Sequence, residues 1–297
     1  MRILVTGRHG QVVRSLVEQA AGQPQIELCT LARPEIDLTD IHSVASAIHA
    51  AKPDIVISAA AYTAVDQAED EPELVEAINA HGAGAVAKAA ADAGASVIHL
   101  STDYVFSGEG DRPHKEDDFT GPRTVYGKTK LEGEHAVAAA NPRHLILRTA
   151  WVYSPFGKNF VKTMLHLGET RDQLSVVSDQ WGNPTSATDI ADAILHVAGR
   201  LQSDSAFAGF GTYHLAGSGH TNWSGFTRAI FAQAETLGRS HVDVDDIPTA
   251  QYPTKALRPL NSRLDTEKFT RIFGWEVPHW QQSMAKVVTR LLQTPEL

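Results

Sequence analysis

At 297 residues, 42% of them hydrophobic, the chain can bury one large core or two unequal ones. Its formal charge of −9 and the lack of any long Lys/Arg run exclude a track for a phosphate backbone, so no nucleic-acid partner is expected. A single cysteine, Cys29, excludes an intrachain disulfide, no Cys cluster or His pair has metal-ligand spacing, and no apolar run approaches ~18 residues. With no leader-like segment, the chain reads as a cytoplasmic protein without metal or membrane partner.

The first predicted strand, RILVTG, runs into TGRHGQVV and a helix. Gly7 ends the strand and Gly10 opens the helix, which lets backbone N–H groups and the positive helix terminus approach a pyrophosphate; a tight structural turn is the competing reading. Val13 stands where a third glycine would serve helix-to-strand packing, so it should shift the helix slightly and leave binding intact. After the second strand, QIELCTL, a dinucleotide fold carries an acid for the ribose hydroxyls; here LARPEIDL puts Arg33 in that neighbourhood. NADPH should then be tolerated and favoured over NADH, unless Arg33 is only a solvated surface arginine.

The helix IHSVASAIHAAKPD stops at Pro53, DIVISAA is the third strand, and ELVEAINAHGAGAVAKAAADAGA is one long helix ending at Gly94. ASVIHLST, HLILRTA and LSVVS follow as strands. Continuous apolar strands separated by helical spacers predict an α/β fold, a doubly wound parallel sheet, because both sheet faces must be covered. Beyond about residue 150 the rhythm loosens. TSATDIADAILHVAG is a covering helix of the sheet, GFGTYHLAG one more strand, TNWSGFTRAIFAQAETLG and QSMAKVVTRLLQ helices, and residues 247–264 have no periodicity. The expected division is 1–149 plus about 174–216 as dinucleotide-binding domain, and about 150–173 plus 217–297 as a smaller, mixed α/β substrate-binding domain.

The chemistry concentrates in STDYVF and VYGKTKLEGE. Tyr126 and Lys130, four apart at a helix start, share one face, and Ser101 and Thr102 lie at the carboxyl end of a strand, where such sheets bind ligands. Thr102 can hold a carbonyl oxygen while Tyr126 donates a proton to it, with the Lys130 ammonium stabilising phenolate and lowering the tyrosine pKa. A helix-surface pair beside a strand-end threonine is the bland alternative.

Together GxxGQV, AAAYTAVDQAE, STDYVFSG, VYGKTKLEGE, RTAWVYSPFGKNFVKTML, DQWGNPT, YHLAGSGHTNW and RPLNSRL resemble the dTDP-4-dehydrorhamnose reductase family, within the extended short-chain dehydrogenase/reductase superfamily, from residue 1 to about 285. The resemblance implies a Rossmann-type fold and reduction of the C4 ketone of a dTDP-4-keto-6-deoxy sugar to dTDP-L-rhamnose by NADPH or NADH. It implies Tyr126 as proton donor, Lys130 on the nicotinamide ribose, and Thr102 and Asp103 on the sugar. It further implies cofactor contacts at Gly10, Gln11, Val12, Asp37, Leu38, Ala61, Tyr62, Thr63 and Leu100, and a substrate contact at Trp151. For the diphosphate, Arg258 is preferred, with Arg263 and Lys162 as further candidates. Tyr62 stands where related sequences often carry histidine. A family Mg²⁺ bridge between subunits uses a glutamate where this chain has VVRSL, so no metal is expected and a homodimer stays open. Two rivals remain: a non-catalytic cofactor-binding regulatory subunit, and a sugar-nucleotide epimerase or dehydratase of the same superfamily.

Overall fold

In the computed structural model, which describes residues 1–293, the strands β1 (Arg2–Thr6), β2 (Glu27–Leu31), β3 (Ile55–Ser58), β4 (Ser96–Thr102), β5 (His144–Thr149) and Gly211–His214 form one sheet. Its order is Gly211–His214, β5, β4, β3, β1, β2, and every pairing is parallel. The chain leaves β1 for β2 on one side and returns to β3 on the other, so a crevice opens at the carboxyl ends of β1 and β3.

The apolar runs of the strands divide between two buried layers, as a doubly covered sheet requires. Ile3, Val5, Ile55, Ile57, Ile98, Leu145 and Leu147 pack with Leu16 of helix α1 (Gln11–Ala20) and with Ile190, Ile194 and Val197 of the helix Ala187–Ser203. Their neighbours Leu4, Val56, Val97 and Ile146 face the opposite layer. That layer contains Val44 and Ile48 of α2 (Ile41–Ala51), alanines and Val86 of the helix Ala83–Asp92, and Val137 of the helix Val125–Ala140.

Two expectations change. LSVVS does not join the sheet: Gln173–Val177 pairs in parallel with Asp243–Ile247 as a separate two-stranded unit. Leu174, Val176 and Val177 are buried while Gln173 and Ser175 are exposed, so the segment is apolar mainly on one face and cannot fill a position covered on both. The sixth place goes to Gly211–His214. The long alanine-rich helix is interrupted: α-helical turns at Pro72–Glu76 and Ala83–Asp92 flank a π-helical stretch, Ala77–Gly82, and Gly94 ends the run with φ +73°.

Away from the sheet, Tyr153, Val161, Leu174, Val176, Phe226, Ile230, Trp280, Met284 and Val288 form a separate buried cluster. It joins the helices Phe160–Leu167, Trp223–Thr236 and Trp280–Gln293. No helix among the described residues is long and apolar enough to cross a membrane.

The helix Val125–Ala140 lies against the π-helical stretch at a distance only glycine permits, since a Cβ on Gly133 would collide with the Asn79 carbonyl oxygen. Gly133→Ala is therefore expected to cost about 1–3 kcal/mol, read as a thermal midpoint several degrees below that of the parent chain.

Candidate active site

Sequence places Tyr126 and Lys130 in the first turns of the helix Val125–Ala140, whose N-terminus is fixed twice. Thr124 caps it, its Oγ1 accepting from Gly127 N at 3.0 Å, and Val125 N donates to Glu69 Oε1 at 2.9 Å. Gly127 then packs against the Tyr104 carbonyl with no room for a Cβ. This brings the helix onto the end of β4, where Thr102 and Asp103 are both buried.

Thr102 Oγ1 donates to Asp103 Oδ1 at 3.0 Å and accepts from Tyr104 N at 3.3 Å. Burial raises the Asp103 carboxyl to about 6, against the lowering effect of the Ser262 and Thr102 hydroxyls, and its Oδ2 has no hydrogen-bond partner. Burial also raises the Tyr126 phenol, with Thr102 beside it as a partial offset and the Asp103 charge adding to the rise. The Tyr104 ring meets Tyr126 edge to face, centroids 5.6 Å apart, and its own phenol is raised to about 12 by burial.

Lys130 is buried, and its ammonium is held by β4. Its Nζ donates to the Leu100 carbonyl at 2.6 Å and lies 3.2 Å from His99 Nε2. Burial lowers it to about 8, with Glu134 opposing. A phenol raised rather than lowered stays protonated at neutral pH, the form a proton donor needs.

The glycine turn is built for close approach. Gly7 has φ +103°, and a Cβ there would lie 3.3 Å from Val13 Cγ2, so Val13, 2% exposed, occupies the packing position of a third glycine. Gly10 precedes α1 in an extended conformation and is exposed, with no side chain capping the helix. The first α1 amides thus have no capping side chain, and this uncapped helix terminus behind an exposed glycine fits a diphosphate. Gln11 accepts from Ser154 Oγ at 2.8 Å, and its Nε2 donates to the Val152 carbonyl at 3.3 Å; Val12 is half-buried on the sheet core.

Around this turn, Arg33 is exposed beyond β2. Asp37 accepts from the backbone N–H and hydroxyl of Thr39, which hold its carboxyl below the usual range, and Leu38 packs on the second sheet layer. The loop after β3 carries Ala61, Tyr62 and Thr63. Thr6 Oγ1 accepts from Ala59 N and Ala60 N, at 3.0 and 3.1 Å, and Asn79 of the π-helical stretch clasps both backbone groups of Tyr62, at 2.8 and 3.1 Å. Tyr62 Oη donates to Glu71 Oε2 at 2.7 Å.

The 247–264 segment closes the other side. Arg258 pairs with Asp66 at 2.5 Å and reaches the Tyr104 hydroxyl at 3.5 Å, while Ala256 N donates to Asp66 Oδ1. Arg263 is turned to Asn261 Oδ1, at 2.8 Å. Trp151 stacks on Trp223, centroids 3.5 Å apart, and against Gly182, with φ +48°, a backbone state a tryptophan keeps only where packing enforces it.

The structure thus brings Thr102, Asp103, Tyr126, Lys130, Leu100 and Arg258 around one crevice. It adds residues the sequence did not disclose: Thr6, Ser58, Asn79, His99 and Glu134. Among these, Asn79 had a signal, a polar residue inside an alanine-rich helix. No group of three or more His, Cys, Asp or Glu among the described residues could hold a metal ion.

A family model described as RmlD substrate binding domain matches residues 1–293. A dTDP-4-dehydrorhamnose reductase of Sinorhizobium fredii is 50% identical over 292 residues, 98% of each chain. The crystal structure of a dTDP-4-dehydrorhamnose reductase from Clostridium acetobutylicum aligns with TM-score 0.91 and 38% identity, covering 99% of this chain and 100% of that one. One from Bacillus anthracis, solved in complex with NADP, aligns with TM-score 0.87 and 34% identity over 96% of this chain and 98% of that one.

Asp103 gives the site a pH signature. Its folded pKa, about 6, lies above the 3.8 of an ordinary aspartate, so the folded chain holds an extra proton between those two values. The group therefore costs stability as pH rises through 6 and relieves it as pH falls. Asp103→Asn should flatten this part of the profile, raising stability at pH 7 relative to pH 5 against the parent, as read by urea midpoints at the two pH values.

Proposed function

The chain belongs to the RmlD family of dTDP-4-dehydrorhamnose reductases, and from that premise we propose that it reduces the C4 ketone of dTDP-4-dehydro-L-rhamnose to dTDP-L-rhamnose with NADPH or NADH. The observation that carries the reading is the meeting of Thr102, Tyr126 and Lys130 at the carboxyl end of β4, beside the uncapped glycine turn. The NADP held by the Bacillus anthracis relative supports the same cofactor class.

In this reading Gly7, Gly10, Gln11 and Val12 would receive the diphosphate, Asp37 and Leu38 would border the adenine, and Ala61, Tyr62 and Thr63 would contact the cofactor. Lys130 would hold the nicotinamide ribose through an ammonium N–H. Arg33 stands ready for a 2′-phosphate, which makes NADPH the favoured form. When bound, the reduced nicotinamide supplies the hydride. The sheet lobe holds the cofactor, and the lobe built on Phe160–Leu167, Trp223–Thr236 and Trp280–Gln293, with 247–264, holds the sugar nucleotide.

At the ketone, the Thr102 hydroxyl accompanies the oxygen as it gains negative charge, and Tyr126, held protonated by burial, delivers the proton that makes it a hydroxyl. Asp103 Oδ2, buried and unpartnered, is an acceptor for a sugar hydroxyl. Arg258 can exchange Asp66 for a phosphate oxygen, one anionic oxygen acceptor for another. Trp151, stacked on Trp223, borders the substrate.

Absorbance at 340 nm, with the keto-sugar nucleotide generated in place, should fall only when substrate is present, and faster with NADPH. Tyr126→Phe should lower kcat by roughly 10²–10⁴-fold and leave cofactor affinity nearly unchanged. Arg33→Ala should raise KM for NADPH several-fold without moving that for NADH. Full activity in Tyr126→Phe would overturn the mechanism.

A further inference from the structure

One part of the site is unexplained by the roles above: why a buried lysine is held by neutral groups of β4 when a carboxylate lies one helical turn away. Glu134 follows Lys130 at i+4, the spacing at which such pairs normally meet. It is occupied elsewhere. Arg148 holds both its oxygens, at 2.9 and 2.7 Å, and Ser101 Oγ donates to Oε1 at 2.5 Å. Lys130 is left with two neutral acceptors, the Leu100 carbonyl and His99 Nε2.

His99 is 1% exposed and sits in register opposite Ser58 of β3, whose Oγ lies 3.0 Å from His99 Nδ1. An ammonium offers only donors, so Nε2 must accept and Nδ1–H must donate to Ser58. This fixes the tautomer and the ring. With Leu100 O taking one ammonium N–H and Nε2 another, the third is the one left for the crevice.

We propose that His99, oriented by Ser58, is a positioning residue that holds the Lys130 ammonium charged and aimed at the cofactor side of the site. What Lys130 then does rests on the reductase reading; how it is held does not. From the elements packed on Lys130, the titratable groups are Tyr126 and Glu134 on its own helix, His99 on β4, and Arg148 on β5 behind Glu134; β3 contributes the uncharged Ser58. His99 itself stays neutral, its pKa held well below the usual value by burial and by the Lys130 charge. A neutral acceptor stabilises the charged lysine, so its removal should make Lys130 lose its proton at lower pH.

Lysine ¹³Cε labelling of the whole apoprotein follows the ammonium directly, with Lys130 assigned through Lys130→Arg. The wild-type midpoint should lie near 8. His99→Leu should lower it by about half a pH unit or more, His99→Gln, which keeps an acceptor, should restore most of the shift, and Ser58→Ala should shift it the same way by less. In the reductase assay, His99→Leu should lower kcat about tenfold with KM for the sugar nucleotide little changed, again recovered in part by His99→Gln. An unmoved midpoint in folded His99→Leu, a shift that His99→Gln does not restore, or a shifted midpoint with kcat intact overturns the proposal. If His99→Leu does not fold, an unmoved midpoint in Ser58→Ala does so. Absence of turnover in the wild type would sink the reductase reading and leave the titration result standing.

Discussion

The site depends on how closely the helix Val125–Ala140 can approach its neighbours. At Gly127 it touches the Tyr104 carbonyl and at Gly133 the Asn79 carbonyl, so two backbone oxygens define its height above the sheet. Tyr126, Lys130 and Glu134 project from this helix at successive four-residue steps. The phenol can meet Thr102 and the ammonium can meet Leu100 only because no side chain spaces the helix away. Asn79 works in both directions: its backbone carbonyl seats Gly133 and its side-chain amide clasps Tyr62, so the seat of this helix and the loop after β3 share one residue. The π-helical turn that carries it fits the tendency of such turns to fall at functional sites.

Beneath the helix, the second layer of the sheet changes from hydrocarbon to polar groups toward the strand ends. Val56 gives way to Ser58, Val97 to His99 and Ser101, and Ile146 to Arg148. Ser58 pairs across strands with His99, and Ser101 with Arg148. Each pair holds one residue of the helix: the first Lys130, the second Glu134. Burying the Arg148–Glu134 pair carries a desolvation cost that offsets its attraction, so stability is not what the pair chiefly provides. What the pair provides here is separation. It occupies the carboxylate that would otherwise draw the lysine down the helix, away from the crevice.

Much of this was legible in the residues. Strands with apolar residues on both faces required helices on both sides, and the four-residue step from Tyr126 to Lys130 required a shared face. Three things were not legible, each for a physical reason. Gln173–Val177 is short and apolar, and only its one-sided burial tells it from a central strand. The π-helical widening at Ala77–Gly82 has no periodicity of its own to read, since the six residues AINAHG suit an α-helix as well; only the polar Asn79 marks the place. The partner of Lys130 is decided by competition for Glu134 from Arg148, a residue on β5 that no local spacing connects to it. The resemblance to a known family implies which residues react, but it says nothing of the groups on β3, β4 and β5 that hold Lys130 and Glu134.

Val13 carries a lesson about the glycine turn. Its methyl group fills the volume in front of Gly7, so the helix and strand are kept in register by a filled space rather than an emptied one. What the turn specifies is a separation between two backbones, and glycine spacing is one spelling of it. A valine at that point adds a second constraint on residue 7: its left-handed backbone already favours glycine, and a side chain there would also press on Val13.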